Sequence, residues 1–274
     1  MYPVDVARAL KMSSAGGPPI SLTEHYKTHG VKGFVSQGVV PELVKSSSMR
    51  VSKFFFFPQF CNLFWSKAPG KCSPVEKGLA GAVATVPEIL LISPIEVAKI
   101  GLQLDRENKF KNNSIDFAKH IYKTKGFAGL YSGWAGMQWR QSWWTGMYFA
   151  TLASWKSALD PAVRSVGGGD ALSNLVSGFL AGVFASIPNA PGDVVRSVVQ
   201  KKLFQDTERV AKGISMGGVL EHVAVAREIM AAKGVSGLYA GFGFKALHLG
   251  GSGALMAMFV PIFANLMGIK YSGV

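Results

Sequence analysis

Apolar residues gather into five long stretches, near residues 38–63, 73–104, 134–159, 171–202 and from 241 onward. Each is long enough to reach the ~20 residues with which a helix crosses a bilayer core. The intervening segments are polar. Residues 105–125 and 219–233 mix apolar and charged positions, as a helix lying along a membrane surface does. Residues 204–218 read as a loop, as does Ser13–Pro19 with its Gly and Pro content, followed by a short polar helix from Ser21 to His29. The pattern predicts an all-α membrane protein. Only Met1 and Tyr2 precede the first proline, Pro3, so the chain is expected to supply only the inner half of a further, first span, through an incomplete gene model or a half-helix that the protein lacks.

One hexapeptide organises these stretches. Pro94-Ile95-Glu96-Val97-Ala98-Lys99 is followed by Gln103, and Pro191-Gly192-Asp193-Val194-Val195-Arg196 by Gln200 at the same distance. A third copy, Pro3-Val4-Asp5-Val6-Ala7-Arg8, carries Met12 where the others have glutamine. The prolines stand 91 and 97 residues apart, which divides the chain into repeats at 1–68, 69–165 and 166–274. Proline inside an apolar helix removes a backbone hydrogen bond and bends the helix. An acid and a base three residues apart share one helical face. Three such bent helices about a pseudo-threefold axis each offer an acid to one neighbour and a base to the other.

Charge changes the picture in one respect. The net charge of +13 concentrates in the segments after the motifs: Arg106, Lys109, Lys111, Lys119, Lys123 and Lys125, then Lys201, Lys202, Arg209, Lys212, Arg227 and Lys233. The opposite connections hold only Lys67 and Lys71, then Arg164, so the segments after the motifs lie on the positive, inner side. The bases form no dense arm or RNA-binding signature, and no nucleic-acid partner is expected. Cys61 and Cys72 are too few for a disulfide framework or a metal site. No nucleophile–base pair, metal spacing or dinucleotide fingerprint is present, so neither an enzyme nor a cofactor is expected. No cleavable signal or Arg-rich transit peptide precedes Pro3, which places import information within the chain.

Pro-x-acid-x-x-base in three repeats resembles the mitochondrial carrier family, from Pro3 to about Met267. The resemblance implies a multi-pass protein of the mitochondrial inner membrane, with two transmembrane helices and one matrix helix per repeat. It implies that Asp5–Lys99, Glu96–Arg196 and Asp193–Arg8 close the matrix end of a central cavity, with Gln103 and Gln200 bracing ion pairs. The segments Gly126-Phe127-Ala128-Gly129-Leu130-Tyr131 and Gly234-Val235-Ser236-Gly237-Leu238-Tyr239 resemble those that lead into the even-numbered helices, where backbone N–H groups hold cardiolipin phosphates. Gly129, Gly133, Gly237 and Gly241 are the positions this implies, with Ser132 and Ala240 standing where a base is usual.

Three stretches resemble the 2-oxodicarboxylate branch: Glu88 with the Pro94 motif through Gln103, Trp139-Arg140-Gln141 through Phe149, and Lys245 through Gly253. Ionisable groups within a span are functional candidates by default. The resemblance therefore makes Lys45, Glu88, Arg140, Gln141 and His248 the substrate-contact candidates. His248 stands where that branch has arginine, which makes one cationic anchor conditional on pH. Arg50 and Lys53 share the second span with Lys45, and all three either face a cavity or snorkel to an interface. A second ion-pair ring at the outer ends, aromatic-acid-x-x-base in the family, has lost its acids: Pro58, Ala153 and Pro261 occupy those positions, and of the bases only Lys156 survives. Two expectations follow. The departures favour a carrier-derived subunit of a larger, respiratory-type inner-membrane complex, with transport impaired. The alternative is an active antiporter of 2-oxoglutarate-type dicarboxylates.

Overall fold

The computed structural model describes residues 39–104, 110, 113–206 and 208–266. Among them are seven α-helices: α1 (Val39–Trp65), α2 (Pro74–Leu104), α3 (Ser114–Leu130), α4 (Trp134–Ser165), α5 (Asp170–Gln205), α6 (Met216–Gly237) and α7 (Phe242–Leu266). α2, α5 and α7 hold windows of mean hydropathy 1.6, 1.5 and 1.6 and are long and apolar enough to cross a membrane. α1 and α4 are as long but carry more polar residues. Pro94 and Pro191 lie inside α2 and α5, accompanied by Pro87 and Pro188. Pro3, Asp5 and Arg8 lie outside the described residues.

Side chains set several helix starts. Ser73 and Glu76 form a reciprocal capping box at the start of α2: Ser73 N–H donates to Glu76 Oε2 at 2.7 Å, and Glu76 N–H to Ser73 Oγ at 3.3 Å. Asn113 Oδ1 accepts from Ile115 and Asp116 N–H and caps α3 nine residues later than the polar pattern suggests. Ser215 Oγ accepts from Gly218 N–H and starts α6 at Met216 rather than Val219. α4 runs to Ser165, past the expected Leu159, where an Arg164–Asp160 pair at 2.8 Å supports its last turn.

The long helices pack in the order α1, α2, α4, α5, α7, with α3 against α2 and α6 against α4 and α5. α3 and α6 are built alike. Gly126 (φ 67, ψ −166) and Gly234 (φ 65, ψ −168) break each helix before its last turn. Phe117 and Ile121 anchor α3 against Ala98 and Leu102 of α2, and Val225 and Ile229 anchor α6 against Val194 to Val199 of α5.

Close approach of α5 and α7 depends on glycine. A Cβ at Gly178 would lie 2.6 Å from the Gly253 carbonyl oxygen, and one at Gly182 would lie 2.6 Å from that of Leu249. Gly178→Ala is expected to destabilise the detergent-solubilised protein by about 1–3 kcal/mol, the usual cost of overpacking. Gly243→Ala, whose Cβ would meet nothing within 4 Å, is the control. Equal unfolding midpoints for the two variants would contradict the packing account.

Candidate functional site

The charged residues of the Pro94 and Pro191 motifs, on α2 and α5, meet each other. Arg196 Nη1 donates to Glu96 Oε1 at 2.7 Å, joining α5 to α2. Arg196 Nη2 lies 3.0 Å from Asp193 Oδ1, its own-helix neighbour three residues back. Lys245 Nζ of α7 lies 3.1 Å from Asp193 Oδ2 and donates to the Asn189 carbonyl at 3.2 Å. Glu96, Lys99, Asp193, Arg196 and Lys245 are all at most 2% exposed. Buried charges of this density persist only when they are paired.

Arg140 of α4 reaches the same cluster. Its Nε is 3.6 Å from Asp193 Oδ1 and its Nη2 is 3.7 Å from Glu96 Oε1, yet neither nitrogen makes a hydrogen bond among the described residues. Asn189 Nδ2 donates to the Arg140 carbonyl at 2.6 Å and holds this part of α4 against α5. The side chain is buried, charged and only loosely held.

A second cluster lies toward the outer end, one residue further along α4. Glu88 of α2 is fully buried, and its Oε1 accepts from Gln141 Nε2 at 3.2 Å. Lys53 of α1 places Nζ 3.7 Å from Glu88 Oε2, donates to Thr145 Oγ1 at 3.2 Å and lies 5.9 Å from the Trp144 ring centroid. Gln138 Nε2 donates to Thr85 Oγ1 and Ser142 Oγ, both at 2.8 Å. The two clusters line the shared face of α1, α2 and α4 and continue to α5 and α7.

The structure therefore brings together Glu88, Glu96, Arg140, Gln141, Asp193 and Arg196. Lys99 is buried on α2, three residues after Glu96, and His248 is half-buried on α7. Lys45 lies on α1 and Gln103 near the end of α2, but their side chains, like residues 1–38, lie outside the described set.

Gln200 packs on the turn into α4. Its Nε2 donates to the Ser132 carbonyl at 2.8 Å, and its Oε1 has no hydrogen-bond partner among the described residues. Gly133 adopts φ 80, and a Cβ there would meet Arg196 Cγ at 2.8 Å and Gln200 Nε2 at 3.0 Å, so both side chains pack directly on that turn. Gly241 has the matching φ of 75 before α7. Gly129 and Gly237 lie in the short turns after Gly126 and Gly234, each against an isoleucine and a lysine of its own helix.

Sequence reasoning left Lys53 between facing a cavity and snorkelling to an interface, named Lys245 without giving it a role, and passed over Asn189. Each meets its partner across 49 or more residues, which local spacing does not encode. One signal was available for Lys53: a lysine far from the end of an apolar stretch requires a buried partner.

His222 of α6 packs under this site, against Gly136 of α4 and close to Arg196. Its Nδ1–H donates to the Gly218 carbonyl at 2.7 Å. Burial, with the Arg196 charge adding to it, depresses its pKa below the ordinary 6.5, against the opposing effects of the Gly218 bond and Glu221. The unfolded chain therefore takes up this proton first. Stability is full above pH 6.5 and is lost as the pH falls from there through the folded pKa. A plot of unfolding midpoint against pH is expected to drop less steeply below 6.5 in His222→Asn than in the unsubstituted protein. Parallel curves would remove His222 from the account.

Among the described residues the outer end carries only exposed, local ion pairs: Lys67–Glu76 at 2.8 Å, and Arg164 with Asp160 and Asp170 at 2.8 and 2.6 Å. Pairs of this kind contribute little.

A family model described as mitochondrial carrier protein matches residues 70–161 and 168–270. The chain is similar to a probable mitochondrial 2-oxodicarboxylate carrier of Dictyostelium discoideum, 29% identical over 278 residues that cover 98% of the chain and 86% of that protein. A probable mitochondrial 2-oxodicarboxylate carrier of Schizosaccharomyces pombe is 30% identical over 275 residues, 94% of the chain and 86% of the relative. Mitochondrial citrate transporter D of Aspergillus niger is 27% identical over 290 residues, 98% and 90% respectively.

Proposed function

Because the chain belongs to the mitochondrial carrier family, whose members are multi-pass proteins of the inner membrane, we propose that it exchanges 2-oxodicarboxylates of the 2-oxoglutarate type across that membrane. Relatives named for such transport, at 29% and 30% identity over nearly the whole chain, favour this reading over a structural subunit. The observation that carries it is Arg140, 7% exposed, with two guanidinium nitrogens that make no hydrogen bond among the described residues.

A dianion needs cationic donors at both ends. Arg140 meets one carboxylate with its planar fork. Lys53, which approaches the same Glu88 carboxylate as Gln141, meets the other. Binding draws Arg140 away from Asp193 and Glu96, and so loosens the inner cluster that holds α2, α5 and α7 together. A ligand shifts an equilibrium between two closed forms only through such a difference in contacts. With Pro58, Ala153 and Pro261 in place of the outer acids, outward closure rests on packing rather than on charge. The repeat division and the role of the inner ion pairs as a gate belong to the same proposal. So does cardiolipin at the starts of α4 and α7, which is supported by the left-handed glycine before each and by the lack of a side-chain cap at Gly133.

Uptake of labelled 2-oxoglutarate into proteoliposomes preloaded with the same acid is the test. Arg140→Ala is expected to lower the rate at least tenfold, with Arg140→Lys recovering part of it. Absence of counter-exchange by the unsubstituted protein, with the folded state verified, would overturn the proposal.

A further inference from the structure

The exchange proposed above draws on Arg140 and Lys53 and gives Glu88 no part, although an acid is the residue that a dianion site should tolerate least. Glu88 is fully buried in the middle of α2. Gln141 Nε2 of α4 donates to its Oε1 at 3.2 Å. The other oxygen, Oε2, makes no hydrogen bond among the described residues and has Lys53 Nζ of α1 at 3.7 Å. Among the described residues, the charged groups that act on Glu88 are Lys53 from α1 and Arg140 from α4. The Lys53 side chain is 19% exposed and that of Glu88 is not exposed at all, so water and solutes reach the pair from the lysine side.

We propose that Glu88 Oε2 is a proton-binding site of the exchange cycle, filled from water when a substrate carboxylate takes Lys53 and emptied when the substrate leaves. The inference rests on the exchange reading and on the place which that reading gives Lys53. Lys53 stands off from Glu88 while it donates to Thr145 Oγ1 at 3.2 Å. A carboxylate that enters and accepts a hydrogen bond from the ammonium wins it, because a charge-assisted bond is stronger than a pair held apart. Glu88 is then a buried anion that has lost its counter-charge, and such a group takes up a proton rather than stay ionised.

The charges balance at each stage. In the free protein the Lys53 cation faces the Glu88 anion. In the complex Lys53 faces a substrate carboxylate, Arg140 faces the other, and Glu88 is neutral. One O–H bond forms at Oε2 with a proton from the surrounding water, and Gln141 keeps its bond to Oε1. The dianion then meets two cations with no acid opposing it. Coupling of this kind is reciprocal: a proton on Glu88 raises the affinity for the dianion by the same factor as the dianion raises the affinity for the proton. Affinity for 2-oxoglutarate therefore falls as the pH rises. Exchange of one dianion for another moves no net proton, since each direction carries one.

The test is calorimetric titration of the full chain in detergent with 2-oxoglutarate at about pH 8, where an ordinary histidine is already neutral. Two buffers that differ in heat of ionisation report the protons taken up. The unsubstituted protein is expected to take up about one proton per 2-oxoglutarate bound, with the Kd rising by up to about tenfold per pH unit. Glu88→Gln, which resembles the protonated acid, is expected to bind without proton uptake and with a Kd that no longer follows pH. Where that variant does not fold, Lys53→Met/Glu88→Gln replaces it and is expected to bind more weakly, again without uptake. Binding by the unsubstituted protein with no proton uptake would overturn the proposal and leave the exchange reading standing. Uptake that persists in either variant would also overturn it, because the proton would then lie elsewhere. No binding at all would sink the exchange reading itself, and this inference with it.

Discussion

Asp193→Asn is expected to abolish 2-oxoglutarate exchange and to be the most destabilising single substitution in the molecule. The carboxylate is fully buried and, among the described residues, meets three cations: Arg196 at 3.0 Å, Lys245 at 3.1 Å and Arg140 at 3.6 Å. These come from three different helices, α5, α7 and α4. Asparagine fills the same space, so the change removes charge with little loss of volume. Three buried cations are then left facing one another with less counter-charge among them. Breaking a buried ion pair by removing one partner costs about 3–5 kcal/mol, because an uncompensated charge remains in a medium that solvates it poorly. The unfolding midpoint in detergent measures the effect. Asp193→Asn/Lys245→Met is expected to recover part of the loss, since one unpaired cation leaves with the acid. A midpoint for Asp193→Asn equal to that of the unsubstituted protein would mean that the acid contributes nothing to holding the bundle, and the account of the inner cluster would fall with it.

How far the sequence reaches is seen by following individual residues. Proline at 94 and 191, with acid and base at fixed offsets, is local information, because helical spacing alone puts Glu96 with Lys99, and Asp193 with Arg196, on one face. The helices and the shared faces were therefore legible, and the facing of Glu96 toward Arg196 was what the resemblance to the carrier family implied. Arg140 was legible as an expensive charge in mid-span, but not as a neighbour of Asp193 and Glu96. Which acid it meets depends on how closely α4 approaches α5, and that is set by Gly136 and Gly192, whose added Cβ atoms would meet the Gly192 carbonyl at 2.8 Å and Trp139 at 2.5 Å. The bond Gln200 makes to Ser132 was hidden for a related reason. The repeat fixes its place on α5, but the left-handed turn at Gly133 brings the Ser132 carbonyl within its reach. Cys61 and Cys72 count as two isolated residues in a list, and share a buried cluster with Ala80 only after the connection folds back on α1. In each case the periodic part of the information was readable, and the part that depends on how near two helices lie was not.

That distinction gives the last expected result its form, because the Lys53–Glu88 pair joins two helices that no repeat motif links. Lys53→Met leaves Glu88 fully buried, with Gln141 as its remaining side-chain donor at 3.2 Å. Glu88→Gln leaves Lys53 with Thr145 Oγ1 and the Trp144 face. Each single change is expected to lower the unfolding midpoint by an amount equivalent to about 3 kcal/mol, for the reason that applies to Asp193. The double variant, Lys53→Met/Glu88→Gln, is expected to behave differently. Replacing a buried ion pair with neutral side chains of similar size is close to neutral, because the cost of desolvating both charges disappears along with their attraction. Stability should therefore return in the double variant, with a coupling energy well above the few tenths of a kcal/mol found for independent sites. Exchange should not return. If Lys53 meets the second carboxylate of the substrate, a methionine in its place cannot do so however well the helix packs, and the rate should stay at least tenfold below that of the unsubstituted protein. A double variant that is both stable and fully active would show that the pair serves only to hold α1 against α2, and would leave Arg140 as the single anchor for the dianion.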